Sequence, residues 1–181
     1  MNGERKNMSK IFWDMDGTLN YFEKNESIDT VASPGYMKKR VPIRNMIGAM
    51  KIIEKAGMHN CIASSILPYP HCIPDKDYWC DMHINVPKER RYYNCCGESK
   101  ADLLMQSGAE PGDIFIDDYT HNLNAVQNDP RCEGIICVKC VNDINDTHHS
   151  FGGARVSIYS SPEVIAAQLI GLHMYAAKGG N

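Results

Sequence analysis

Short apolar runs, each closed by a polar turn and followed by a stretch with helical spacing, recur along this chain. That alternation constrains the fold more than any other feature. Ile11-Phe12-Trp13 leads into Asp14, Asp16 and Gly17, and reads as a buried strand feeding a tight turn. Met58 to Ala63, Arg91 to Cys96, Ile114-Phe115-Ile116, Gly134 to Val138 and Arg155 to Ile158 read as further strands. Between the first two, Ile43, Met46, Ile47, Met50 and Ile53 recur at helical spacing. That helix is expected to begin near Pro42, which a first turn tolerates, and to stop at Gly57. Residues 75 to 82, 99 to 106 and 122 to 128 read as shorter helices, with Leu103 and Leu104 turned to the core. Ser161-Pro162-Glu163 opens a last helix whose apolar face is Val164, Ile165, Leu169 and Leu172. Residues 20 to 41 are mixed and polar, with a turn at Ser33-Pro34-Gly35.

Strands alternating with helices predict an α/β fold. The expected form is Rossmann-like and doubly wound, with a mainly parallel sheet covered on both faces. A chain of 181 residues suits one such domain. Residues 20 to 41 then form a small cap-like insertion after the first strand, a minimal cap or none. Ligands of such sheets bind beyond the carboxyl ends of the strands. Asp14, Ser64 and Asp117 each stand at such an end, so all three are expected at one crevice.

Charge narrows the partners. A net charge of -3 shows no basic excess, which disfavours nucleic acid. No stretch approaches the roughly 20 apolar residues of a membrane span. Met1 to Lys10 is polar and lacks the apolar core of a signal peptide, so a cytoplasmic protein is expected. Its eight cysteines then read as reduced thiols. Cys137-x-x-Cys140 could be half of a zinc site, but Cys137 falls in an apolar run and no second ligand pair is apparent. A buried-strand reading is favoured.

The chemistry concentrates at the strand ends. Asp14 and Asp16, at i and i+2 in one loop, repel unless a cation or proton shares the site. Magnesium takes oxygen ligands from carboxylates and substrate phosphate. Asp117-Asp118 offers further carboxylates, Ser64-Ser65 offers hydroxyls and turn N–H groups, and Lys100 a point charge for phosphate or carboxylate. Each motif alone has a plainer reading: Asp-x-Asp-Gly as a turn, Asp117-Asp118 as a solvated strand end, Ser64-Ser65 as a cap, Lys100 as a surface charge.

Taken in order, these residues resemble the haloacid dehalogenase (HAD) superfamily. Its first motif, D-x-D-G-T after an apolar strand, is matched by Asp14-Met15-Asp16-Gly17-Thr18. Its Ser or Thr after a second strand is matched at Ser64, its later Lys at Lys100, and its acidic pair at Asp117-Asp118. The resemblance implies an aspartyl-phosphate mechanism, with Asp14 as nucleophile and Asp16 as acid/base. It also implies Mg2+ held by Asp14, the Asp16 backbone carbonyl and Asp117, with Asp118 assisting there or orienting a metal-bound water. Ser64, Ser65 and Lys100 would bind phosphate.

Within the superfamily the chain looks most like the 5′-nucleotidase type C, or deoxyribonucleotidase, branch. Ser64-Ser65, Lys76-x-x-Trp79, and Asp117-Asp118-Tyr119 with Asn122 carry that likeness. The chain departs from the branch at Ile66, where proline is common, and in the shortness of residues 20 to 41. A nucleoside monophosphate is therefore the expected substrate, on which Trp79, Tyr92 or Tyr93 could stack if they are not core packing. The partner class is a small-molecule phosphomonoester, with a sugar phosphate as the alternative. A short cap leaves the crevice open to a larger phosphorylated partner, or to cover from a second subunit in a homo-oligomer. A phosphotransferase would use the same residues, and a catalytically silent binding module is the competing class. His121 and His148-His149 read as solvated.

Overall fold

The structure is a computed structural model and describes residues 8–23, 25–145 and 151–177. Six strands form one sheet: β1 (Lys10–Trp13), β2 (His59–Ile66), β3 (Arg91–Cys95), β4 (Ile114–Asp117), β5 (Ile136–Val141) and β6 (Ala154–Ser157). Their order is β3-β2-β1-β4-β5-β6 and every pairing is parallel. Parallel neighbours cannot be joined by a tight turn, so helices supply the crossovers. These are α1 (Ile28–Val31) and α2 (Arg44–Lys55) after β1, α3 (Cys72–His83) after β2, α4 (Lys100–Gln106) after β3, and α5 (Thr120–Gln127) after β4. The last helix, α6 (Pro162–Ala177), follows β6. The order reverses between β1 and β4. This is the expected Rossmann-like, doubly wound α/β sheet, with its switch point between those two strands.

Alternate residues of each strand face opposite sides. Ile11, Trp13, Ile62, Ile114, Ile116 and Val138 join one buried cluster with residues of α2, α3 and α6. Phe12, Cys61, Ala63, Phe115 and Cys137 join the other, with Leu103 and Leu104 of α4 and Leu123 of α5. Cys137 and Cys140 stand three apart on β5 and so belong to opposite clusters. They cannot converge on one ion. Burial pushes the Cys137 thiol up to about 12, and that of Cys140 well above its ordinary value. No described helix is long and apolar enough to cross a membrane.

Several elements depart from the sequence reading. β2 does not stop at Ala63: pairing of Ser64 with Tyr93, Ser65 with Asn94 and Ile66 with Cys95 carries the strand three residues further. α2 begins at Arg44, with Ile43 as its N-cap. Val164 is 48% exposed, because α6 turns Ile165, Ala166 and Leu169 inward instead. Trp79 is fully buried and donates its indole N–H to the Arg40 carbonyl at 2.8 Å. Tyr92 packs against Phe12, and the Tyr93 hydroxyl donates to Asp77. Burial closes the Trp79 ring to any ligand, and Tyr92 and Tyr93 are half-buried in these contacts. His148 and His149 lie outside the described residues.

The segment between β1 and α2 is tied down at several points. Tyr21 N–H donates to the Val41 carbonyl at 2.9 Å, closing its base. The rest docks on α3 and its N-cap. His71 donates its ring N–H to the Ala32 carbonyl at 2.9 Å. Asp75, itself buried, accepts from Gly35 N–H at 2.5 Å and pairs with Lys38 at 3.1 Å.

The sheet core is the scaffold for everything at its carboxyl edge. Phe115 is wholly buried on a central strand. Phe115→Ala is expected to cost about 3–5 kcal/mol of unfolding free energy, read as a lower urea midpoint at unchanged slope.

Candidate active site

Asp14 follows β1 directly, its N–H still bonded to the Ile116 carbonyl of β4 at 2.9 Å. The chain then tightens: the Met15 carbonyl accepts from the N–H groups of Thr18, Leu19 and Asn20. Gly17 has φ +77°, and a Cβ there would stand 2.3 Å from Asp118 Oδ2. Both the left-handed backbone and the close approach of the acidic loop demand glycine at this position.

Two buried lysines meet the two carboxylates of this loop. Lys100 is the first residue of α4, whose N-cap Ser99 accepts from Ala101 N–H. Its Nζ donates to Asp14 Oδ1 at 2.8 Å and to the Ala63 carbonyl at 2.6 Å. Lys76, on α3, donates to Asp16 Oδ2 and to Ser64 Oγ, both at 2.7 Å. Burial works against the charge on Lys76, but Asp16 and Asp14 overcome it and raise its pKa above the usual lysine value. Lys76 therefore stands as a cation at 3% exposure. Sequence reasoning noted Lys76 only within the branch resemblance and gave it no role. The available signal was its helical spacing from Trp79 and Cys80: a lysine sharing a face with core residues needs a buried counter-charge.

The third strand end supplies the remaining carboxylates. Asp117 accepts from Tyr119 N–H at 2.7 Å and from the Asn122 amide at 2.9 Å. Asp118 Oδ2 accepts from the Asn142 amide at 2.9 Å. One carboxylate oxygen each from Asp14, Asp117 and Asp118 lie within 4.8 Å of one another. Burial, and after it the charge of Asp14, push Asp117 well above the usual carboxylate range and Asp118 up to about 7. Such crowding is relieved by a cation, and an all-oxygen donor set suits a hard divalent ion such as magnesium. The Asp16 carboxylate goes to Lys76, which leaves its backbone carbonyl as the group expected to face the ion.

These groups open onto a cleft of about 280 Å³. Asp14, Asp16, Asp117 and Asp118 line it together with Ser65, whose hydroxyl donates to Asn94 Oδ1 at 2.9 Å. Ser64 lies behind them, fully buried. Phe22 and Tyr119 also line the cleft, and neither ring was singled out from the sequence as a contact surface. His121 is exposed beside Tyr119, ring centroids 5.8 Å apart, as the solvated reading expects.

No family model matches this sequence, and no curated protein matches it. Solved structures do. A D,D-heptose 1,7-bisphosphate phosphatase from B. bronchiseptica, complexed with magnesium and phosphate, superposes with TM-score 0.61 at 15% identity. The alignment covers 91% of this chain and 99% of that one. A HAD-like phosphatase from Mesorhizobium loti gives TM-score 0.61 at 12% identity, covering 96% of this chain and 88% of that one. The chain has the HAD-like fold. At these identities the likeness is one of architecture.

The crowded carboxylates have a consequence for stability. A carboxyl that ionises less readily in the folded chain than in the unfolded one favours folding at low pH. That advantage fades as pH rises from the ordinary value of 3.8 towards the folded value of about 7 for Asp118. In EDTA, the wild-type thermal midpoint is expected to lose ground to that of Asp118→Asn as pH rises from about 4 to about 7, the window between the two pKa values. Scanning calorimetry across that range, with both proteins side by side, reads the difference.

Proposed function

We propose that this chain is a magnesium-dependent phosphomonoester phosphatase of the HAD superfamily, acting through an aspartyl-phosphate on Asp14, with a nucleoside monophosphate as substrate. One observation carries the reading. Two lysine–carboxylate pairs, Lys100–Asp14 and Lys76–Asp16, each with its lysine buried, flank an all-oxygen acidic cluster at the switch point of the sheet. A binding module has no need for a second carboxylate held by its own lysine. The magnesium and phosphate in the B. bronchiseptica neighbour support the same chemistry here.

In this reading Lys100 holds Asp14 Oδ1, and the other oxygen attacks phosphorus. The bond from phosphorus to the leaving oxygen breaks as Asp16, having taken up the proton that the phosphate monoester carries in as its monoanion, delivers that proton to the leaving oxygen. Asp16, now a carboxylate, takes a proton from water; the water oxygen attacks the phosphoryl group, expels the Asp14 carboxylate and frees inorganic phosphate. Lys76 and Ser64 lie beside Asp16 and are assigned to the phosphoryl oxygens, with Ser65 at the cleft wall. Magnesium, held by Asp14, Asp117 and Asp118 and by the Asp16 backbone carbonyl, would neutralise charge on the phosphoryl oxygens and the nucleophile. The chain's own part is to fix these charges before substrate arrives.

The substrate reading rests on the rim. Phe22 and Tyr119 border a small open cleft, and a planar base can lie on an aromatic face. Residues 20 to 41 supply Phe22 and are assigned the part of a small cap. A sugar phosphate is the second reading, favoured by the heptose bisphosphate phosphatase among the structural neighbours.

Phosphate release from nucleoside monophosphates and sugar phosphates tests both. Activity is expected with magnesium, absent in EDTA, and abolished by Asp14→Asn. Asp16→Asn is expected to lower the rate by about 10²–10⁴-fold. Phe22→Ala is expected to raise KM for nucleotides about ten-fold while sparing sugar phosphates. Sugar phosphates turned over best, with no effect of Phe22→Ala, would decide for the second reading. No release from any substrate by folded protein would leave the silent binding module.

The Lys76 assignment has its own check. Lys76→Met is expected to reduce kcat/KM by about 10²-fold, as for loss of a charge-stabilising donor. A variant within three-fold of wild type would remove Lys76 from the chemistry.

A further inference from the structure

Asn142, one residue beyond β5, was not singled out by any sequence motif, yet it is 4% exposed and every polar atom of its side chain is engaged. Its Oδ1 accepts from Ile144 N–H at 2.9 Å and from Asn145 N–H at 3.1 Å. Those two donors fix which end of the amide is which. Nδ2 is thereby turned the other way, where it donates to the Gly17 carbonyl at 2.8 Å and to Asp118 Oδ2 at 2.9 Å. One rigid amide thus ties the loop after β1 to the loop after β4. The opposite amide orientation would set Oδ1 against a carbonyl and a carboxylate, with no hydrogen to share.

The neighbours of Asn142 grip the same residue from below. Asn145 donates its amide to the Asp118 carbonyl at 2.9 Å and to the Cys140 carbonyl at 3.0 Å. Lys139, buried on β5, donates to the Asp118 carbonyl and to Thr120 Oγ1. Positions 139, 142 and 145 therefore all converge on Asp118, and among them Asn142 alone holds its carboxylate. The fit is close: a Cβ on Gly17 would stand 3.0 Å from Asn142 Nδ2 as well as against Asp118.

We propose that Asn142 is a positioning residue for the phosphatase reaction, which locks the Asp118 carboxylate beside Asp14 and Asp117 and holds the acidic loop in register with the nucleophile loop. It touches neither substrate nor ion; it acts through Asp118 and Gly17. The inference rests on the reading of Asp118 as part of the magnesium site.

The test is magnesium titrated into EDTA-stripped, dialysed protein by isothermal calorimetry, for wild type, Asn142→Ala and Asn142→Ser. Groups that orient metal ligands through hydrogen bonds change metal affinity by about 10–100-fold when removed. Asn142→Ala is expected to weaken magnesium binding at least about ten-fold, and to lower kcat while leaving KM near the wild-type value at saturating magnesium. Asn142→Ser keeps one hydroxyl donor and is expected to fall between the two. Magnesium affinity and kcat within two-fold of wild type in folded Asn142→Ala would overturn the proposal. Should that variant not fold, unchanged magnesium affinity in Asn142→Ser overturns it equally. Wild-type protein that binds no magnesium and releases no phosphate would overturn the reading of the site, and this role with it. Normal wild-type binding with indifferent Asn142 variants removes only Asn142.

Discussion

The arrangement depends on holding like charges together out of water. Asp14, Asp117 and Asp118 come from two neighbouring strand ends and crowd within one small volume. Removing an ion from water costs several kcal/mol even after relaxation, so each carboxylate needs an immediate partner. Lys100 serves Asp14, the Tyr119 N–H and Asn122 amide serve Asp117, and Asn142 serves Asp118. These partners arrive from α4, the β4–α5 loop, α5 and the turn after β5. A parallel sheet suits the task because it delivers strand ends side by side at fixed spacing, with helices close enough to send side chains back across them.

α3 has two duties. Towards the sheet it carries Lys76, which bridges Asp16 and Ser64. Through Asp75, Trp79 and the N-cap His71 it also holds the segment that follows β1. That segment supplies Phe22 to the cleft. The segment that brings Phe22 to the cleft and the cation beside Asp16 are thus both anchored to one helix. β5 and the turn after it have a comparable part on the far side, where Lys139, Asn142 and Asn145 all hold the acidic loop.

Much of the fold was legible because its determinants are local. Apolar runs such as Ile11-Phe12-Trp13 and Ile114-Phe115-Ile116 can only be buried, and helical spacing after Pro42 fixes the face that covers them. The misjudged elements are those that neighbours decide. β2 extends through Ser64 to Ile66 because β3 stands beside it to take the hydrogen bonds, and no property of Ser-Ser-Ile announces that. Val164 and Ile165 are adjacent and similar in sequence, and only the angle at which α6 meets the sheet sends one inward and leaves the other at the surface.

The sequence by itself determined the α/β class, the strand-end positions of Asp14, Asp16, Asp117 and Asp118, and the presence of Lys100 on a following helix. These follow from patterns a few residues long, in which a carboxylate or lysine adjoins an apolar run. The tertiary structure alone decided which charges meet. It paired Lys76 with Asp16 across 60 residues, brought Asn142 onto Asp118 and Gly17, buried Trp79 in place of the base-stacking role its neighbourhood suggested, and put Phe22 and Tyr119 at the cleft. The physical reason is range. Burial patterns repeat within a strand or a turn of helix, whereas hydrogen bonds and ion pairs act only at contact. Contact between distant segments exists only once the sheet has set its strand order.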